Sequence, residues 1–295
     1  MIHGERRIAC CVYSRGMKYG LIWVALVLGC GSKQPTVFDA SPDGASDATD
    51  APIDAPTDGG VPAITGMCST AGWCWQNPRP HGNSIRAVHA VNGNPDDVWV
   101  VGGGIDIEIA MHWDGTAWTR VGLPPREPGA EWGSMTDIWA SGANDVWVVG
   151  VPGRILRWTG THWNRETLPV EVATLGAVWG TSANDVWAVG YSTEGSGIAL
   201  HYTNGSWVSV PTEVSEPLSA VHGIAANDVW ITAKGTTLHW NGATFDRPPS
   251  AIGSYLDGVW AASSNDVWSV GFDGLQRWDG ETWNAAGSTG GYAIA

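Results

Sequence analysis

The chain has 295 residues, 29 acidic against 15 basic side chains, a formal net charge of −14, 40 glycines and 20 tryptophans. That charge balance excludes the basic footprint that nucleic-acid phosphates demand. No apolar run of 18 residues occurs beyond the N-terminal region, so nothing is expected to span a bilayer as a helix after processing.

Residues 18–30 read Lys-Tyr-Gly-Leu-Ile-Trp-Val-Ala-Leu-Val-Leu-Gly-Cys. A basic start, a short apolar segment and a small residue make a secretory signal rather than a fold element. The closing Val27-Leu28-Gly29-Cys30 resembles the lipobox of bacterial lipoproteins, with Val27 where leucine is commoner. The resemblance implies cleavage before Cys30, so that residues 1–29 are signal. It also implies acylation of Cys30 and attachment to a membrane through it. Several acyl chains anchor firmly where one is marginal. Gly31 is not the aspartate associated with inner-membrane retention, so the expected place is the bacterial outer membrane, on its periplasmic face or at the cell surface. A plain signal peptide or a retained anchor helix is the alternative. Met17-Lys18 opens a compact signal by itself, which makes Met17 an alternative start.

Residues 30–64 follow as a lipid-anchored linker. Asp39, Asp43, Asp47, Asp50, Asp54 and Asp58 alternate with Pro35, Pro42, Pro52, Pro56 and Pro62, with almost no large apolar side chains. The prolines oppose a helix, and no calcium-loop pattern is present. The composition predicts a solvated, self-repelling, disordered spacer.

Cys68 and Cys74 stand close together, with no second Cys or His pair at zinc-finger spacing. In an exported protein they are a candidate disulfide pair, with two reduced thiols as the alternative. No metal and no cofactor is expected.

Residues 65–295 are read as one repeat domain, and from Ser84 onward a repeat governs the chain. Its core, Asp-Val-Trp, recurs at Asp97-Trp99, Asp145-Trp147, Asp185-Trp187, Asp228-Trp230 and Asp266-Trp268. The units lie near residues 84–123, 134–169, 174–211, 217–249 and 255–285. Each holds four short runs rich in Val, Ile and Trp, separated by Asn, Asp and Gly. Such runs predict strands and such separators predict tight turns. Short strands in units of about 40 residues predict an all-β, four-stranded-blade β-propeller. The second run of each unit is apolar on both faces, as a blade between two blades requires. Trp75 with Pro78 repeats the end of a unit, so the reading favours five blades plus a spare strand. An incomplete six- or seven-bladed ring is the alternative.

All tryptophans but Trp23, Trp73, Trp75 and Trp132 fall in repeat slots, and are therefore expected to pack blades together rather than bind ligand. Their indole N–H groups are expected to meet carbonyls across the blade. The repeated Asp is expected to fix its turn by accepting backbone N–H groups. His89 and His222 occupy a slot that holds Trp elsewhere. His112, His201 and His239 share another with Arg157 and Arg277, which reads as interchange on a strand face.

The units resemble kelch and sialidase-type (BNR, or Asp-box) propeller repeats. Asp279-Gly280-Glu281-Thr282-Trp283 looks like an Asp-box lacking one residue, and the glycine doublet of kelch is missing. The nearest resemblance is to bacterial lipobox-bearing propeller proteins with Trp-rich repeats. It implies a non-catalytic module that binds a glycan or protein partner, neither of them nucleic acid, through loops the repeats do not share. The candidate ligand residues are Arg126, Glu131 and Trp132 in one insertion, and Tyr191 and Glu194 in another. A sialidase-like glycoside hydrolase or lyase is the first alternative. It would need an arginine cluster, drawn from Arg86, Arg154, Arg157 and Arg277, and a Tyr–Glu pair. A scaffold in an envelope complex is the second.

Overall fold

A computed structural model describes residues 67–68, 74–75, 84–104, 108–125, 133–251, 253 and 255–287. Cys30, the linker, and Arg126, Glu131 and Trp132 lie outside the described residues. Strands β1 (Met67–Cys68) and β2 (Cys74–Trp75) form an antiparallel pair of their own, in a different compact unit from the other strands. Their register sets Cys68 opposite Cys74 and Met67 opposite Trp75. Directly opposed residues have Cα atoms about 4.5–5.5 Å apart, within the range a disulfide spans. Trp75 therefore pairs with Met67, and extends none of the blades.

The remaining twenty strands form five four-stranded antiparallel sheets, each a simple meander. Blade 1 holds β3 (Ser84–Ala90), β4 (Val98–Gly103), β5 (Glu108–Trp113) and β6 (Trp118–Arg120). Blade 2 holds β7 (Ser134–Gly142), β8 (Asp145–Val151), β9 (Arg154–Trp158) and β10 (Trp163–Arg165). Blade 3 holds β11 (Thr174–Ser182), β12 (Asp185–Tyr191), β13 (Gly197–Thr203) and β14 (Ser206–Val210). Blade 4 holds β15 (Leu218–Ala225), β16 (Asp228–Ala233), β17 (Thr236–Trp240) and β18 (Phe245–Asp246). Blade 5 holds β19 (Leu256–Ser263), β20 (Asp266–Gly271), β21 (Gly274–Trp278) and β22 (Trp283–Gly287). The first strand of each blade packs beside the first strand of the next, so these are the inner strands of a β-propeller. Among the described residues no comparable packing joins β19 to β3.

The second strand of each blade is the core of the fold because both its faces are buried. In β8, Val146 and Val148 pack with Trp99 of blade 1, while Trp147 and Val149 pack with Leu175 and Trp207 of blade 3. Trp99, Trp147, Trp187 and Trp230 are at most 1% exposed. Each meets two aromatic rings of the following blade. Trp147 lies 4.8 Å from Tyr202 and 5.5 Å from Trp207, and Trp230 lies 5.3 Å from Trp278 and 5.5 Å from Trp283. The contact with the fourth-strand ring is edge-on, at interplanar angles of 83°, 82°, 71° and 89° at the four junctions. Removing such an indole from water is worth about 4–6 kcal/mol gross, and edge-to-face pairing adds about 0.5–1.5 kcal/mol.

In four blades the second strand carries a glycine at or next to its last residue, for a steric reason. A Cβ on Gly190 would lie 2.0 Å from the Thr174 carbonyl oxygen, and one on Gly150 2.5 Å from that of Ser134. The close approach coincides with a bulge in the facing inner strand, between Leu175 and Ala177 or Met135 and Asp137. Bulges at the same place in all five inner strands leave Arg86, Thr136, Gly176, Ser219 and Asp257 outside the ladder, which is how a bulge re-aims a side chain.

Replacing Trp187 by Ala should lower the unfolding free energy by about 3–5 kcal/mol. Trp113→Ala should cost less than half as much, because among the described residues Trp113 meets only Trp118 of its own blade and no tryptophan of another. Urea titrations of the two variants against the parent chain measure the difference.

Candidate functional site

The repeated Asp organises each blade, through partners other than those the sequence predicts. Its carboxylate accepts from the His or Arg of the third strand: His112 to Asp97 at 2.7 Å, Arg157 to Asp145 at 2.6 Å, His201 to Asp185 at 2.6 Å, His239 to Asp228 at 2.9 Å and Arg277 to Asp266 at 2.7 Å. The held ring or guanidinium then lies flat on the core indole. His201 stacks on Trp187 at 4.1 Å and 9°, and the Arg157 guanidinium sits 4.4 Å above Trp147. His and Arg interchange because either supplies a planar donor. The indoles of Trp147 and Trp230 donate to Asp145 and Asp228, rather than to carbonyls across the blade. A carboxylate two residues away on the same strand face outcompetes a neutral acceptor.

Turn fixing falls instead to Asp114, Asn241 and Asp279 between the third and fourth strands. Asp114 accepts the backbone N–H groups of Thr116 and Ala117, and Asp279 those of Glu281 and Thr282. The side-chain hydrogen bond from Thr116, then the backbone donors, hold Asp114 down to about 2. The Asp-box-like segment is thus a structural turn in blade 5.

In blades 2 and 3 the clasp has a further member. Ser141 donates to Asp145 at 2.5 Å, and Thr181 donates to Asp185. These two hydroxyls line a recess of about 500 Å³ with His89, Asn92, Trp139 and Ser182, at the inner-strand ends of blades 1 to 3. Trp139 reaches across to blade 3, where a Cβ on Gly180 would lie 2.9 Å from its ring. His89 and His222 fill the equivalent slot in their own blades. Burial lowers His222 to about 4 and also lowers His89. Neutral imidazole suits His222, whose Nδ1 accepts the Ala261 N–H at 3.1 Å.

None of the recess residues except His89 is singled out by the sequence reading. The available signal was a hydroxyl four residues before the repeated Asp, which Ser141 and Thr181 share and Gly93, Ile224 and Ala262 break. A second recess, of about 470 Å³, lies between Arg120, Leu123, Pro124, Trp158, His162 and Trp163.

Beside the first recess, Asp137 and Thr136 tie inner strands together. The Val178 N–H donates to Asp137 at 2.8 Å, and the Thr136 hydroxyl donates to the Leu175 carbonyl at 2.6 Å. Burial pushes the Asp137 carboxyl up to about 7, against the pull of the Val178 and Ile138 N–H groups.

Of the sequence candidates, Tyr191 ends β12 opposite Gly197, half-buried, and Glu194 is exposed in the following turn. That turn is closed by Ser192 and Ser196. No hydrogen bond joins Tyr191 to Glu194 among the described residues. The arginines are dispersed: Arg157 and Arg277 hold repeated aspartates, and Arg154 is buried in an ion pair with Glu108. The described residues hold no cluster of three His, Cys, Asp or Glu able to bind a metal ion.

No family model and no curated protein matches the chain. Solved structures do. A structure of YCF48 bound to D1 peptide is 20% identical, with a TM-score of 0.51 over 69% of this chain and 66% of that one. YCF48 from Cyanidioschyzon merolae is 18% identical, with a TM-score of 0.50 over 72% and 88%. The computationally designed Ika8 protein is 19% identical, with a TM-score of 0.54 over 72% and 65%. The chain therefore spans about two thirds of the first of these, and the likeness is one of fold.

The folded Asp137 binds its proton more tightly than the ordinary carboxylate value near 3.9, so the folded state loses relative stability as pH rises from about 4 to 7. Asp185 has the opposite sign. Burial opposes its ionisation, but the hydrogen bonds from His201 and Thr181 outweigh it and leave its pKa lowered. Its contribution is present above about 4 and lost as pH falls below that. Burial-lowered His222 and His89 act against Asp137 between about pH 4 and 6.5, so the test is the difference between two chains: the denaturant midpoint of Asp137→Asn should gain on that of the parent as pH rises from about 4 to 7.

Proposed function

We propose that this chain is a cell-envelope lipoprotein whose propeller is a non-catalytic binding module for a polypeptide segment. The observation that carries the reading is the recess of about 500 Å³ at the inner ends of blades 1 to 3. Trp139 and His89 offer apolar faces to a side chain. Ser141 and Thr181 spend their protons on the aspartates, so toward a ligand they present acceptor lone pairs. A wall of acceptors beside aromatic rings suits the N–H groups of an extended peptide, with one apolar side chain seated on Trp139. The D1 peptide held by the similar YCF48 structure is in keeping with that class of ligand. Clasping the walls to the blade cores pre-organises the recess, which lowers the ordering cost of binding.

A sialidase-like reaction receives no support from the dispersed arginines. Binding through the Tyr191–Glu194 hairpin, glycan recognition and a scaffolding role remain readings that share the same fold.

The anchor at Cys30 and the outer-membrane location complete the proposal, on the lipobox resemblance and the linker composition. Cys30→Ser should abolish acylation and move the chain to the soluble fraction on cell fractionation; unchanged membrane retention overturns the anchor.

For the module itself, the purified chain is screened against a random peptide display library and a glycan array. Selected peptides should share an apolar residue and lose about tenfold or more in affinity on Trp139→Ala; because Trp139 also packs against the core between blades 2 and 3, affinities are compared under conditions where the unfolding curve shows the variant fully folded. Selection of glycans alone, or peptide binding indifferent to Trp139, would overturn it.

A further inference from the structure

The blade junction is written four times in the structure, and each half of it is written once more at an end. Blade 5 presents Trp268, the counterpart of the four buried core indoles, on the face turned away from blade 4. Its ring meets the Arg277 guanidinium of its own blade at 5.4 Å and stacks on no aromatic ring among the described residues. The clasp beneath it is correspondingly open: Arg277 and Asp266 side chains are 48% and 33% exposed, against 24% and 16% for Arg157 and Asp145.

Blade 1 presents the other half on the face turned away from blade 2. Trp113 and Trp118 are the pair that elsewhere receives a core indole, and here they meet each other at 5.9 Å. Val88 is 46% exposed, whereas its equivalents Ile138, Val178, Val221 and Val259 are 4–7% exposed. Ile138 shows what that position does, since it packs in one cluster with Trp99 of the preceding blade.

The outer faces of the described blades 1 and 5 carry no polar cap of the kind a solvent-facing repeat ordinarily has. They keep the consensus apolar residues and are complementary to each other. We propose that the two end blades form an association surface for a second copy of this chain, joined head to tail. The Trp268 face of one copy seats against Val88, Trp113 and Trp118 of the next, in the geometry of the four internal junctions. The contact is heterologous, so it closes into a ring or propagates, depending on the rotation it imposes.

The test is sedimentation of the full chain carrying Cys30→Ser, so that acylation cannot drive association. The chain should associate with rising concentration. Val88→Asp and Trp268→Asp should each weaken this by about tenfold or more. Val88 is half-exposed, so its substitution leaves the fold intact, which the unfolding midpoint verifies. Each variant retains one sound end, so mixing the two should restore a one-to-one complex that grows no further. A chain that stays monomeric at every concentration overturns the proposal, as does association indifferent to both substitutions. So does a mixture that forms no complex when the parent associates.

Discussion

Everything in the propeller depends on one sandwich: a core indole held between a planar cation or imidazole of its own blade and an aromatic edge of the next. The first contact fixes the ring's orientation, because the His or Arg beneath it is pinned by the repeated Asp. The second converts that orientation into a blade angle, because an edge-on contact tolerates little rotation before atoms clash or part. The apolar area supplies the energy and the Asp clasp supplies the geometry. A tryptophan without the clasp would still bury surface, but would leave the angle between blades loosely determined.

The same economy explains the polar chemistry near the axis. Inner strands of neighbouring blades do not form a continuous sheet, so their free backbone groups need partners from side chains. Asp137 serves the Val178 N–H, Thr136 serves the Leu175 carbonyl, and His222 serves the Ala261 N–H. The junctions do not all meet the requirement with the same residues, which is why the inner strands vary while the second strands barely do. Asp137 carries the largest cost, since it serves as an acceptor where ionisation is opposed by burial.

Strand number, strand order and the two-faced burial of the second strand were legible in the sequence, because hydrophobic period and turn residues report local requirements that five copies repeat. The packing role of the tryptophans was legible for the same reason: residues in register cannot all face one ligand. The partner of the repeated Asp was not legible. Asp97 and His112 stand 15 positions apart, and Asp next to Asn in a tight turn carries an equally sound local chemistry, which Asp114 and Asp279 do use. Local rules could name the two jobs without assigning them. The recess was hidden more thoroughly, since it is built from positions contributed by three blades and no single unit contains it.

The place of the recess follows from the departures among otherwise equal units. A clasp hydroxyl four residues before the Asp occurs only in blades 2 and 3, where Ser141 and Thr181 stand side by side across one junction. Blade 4 has Ile224 at that position and blade 5 has Ala262, so the wall of acceptors ends there. Insertions were the expected seat of recognition, because loops change without disturbing a core. A hydroxyl on the strand end offers something a loop does not. It is held by the same carboxylate that orients the core indole, so its position is as well determined as the blade angle itself. In the proposed reading, recognition written into the clasp inherits the rigidity of the propeller.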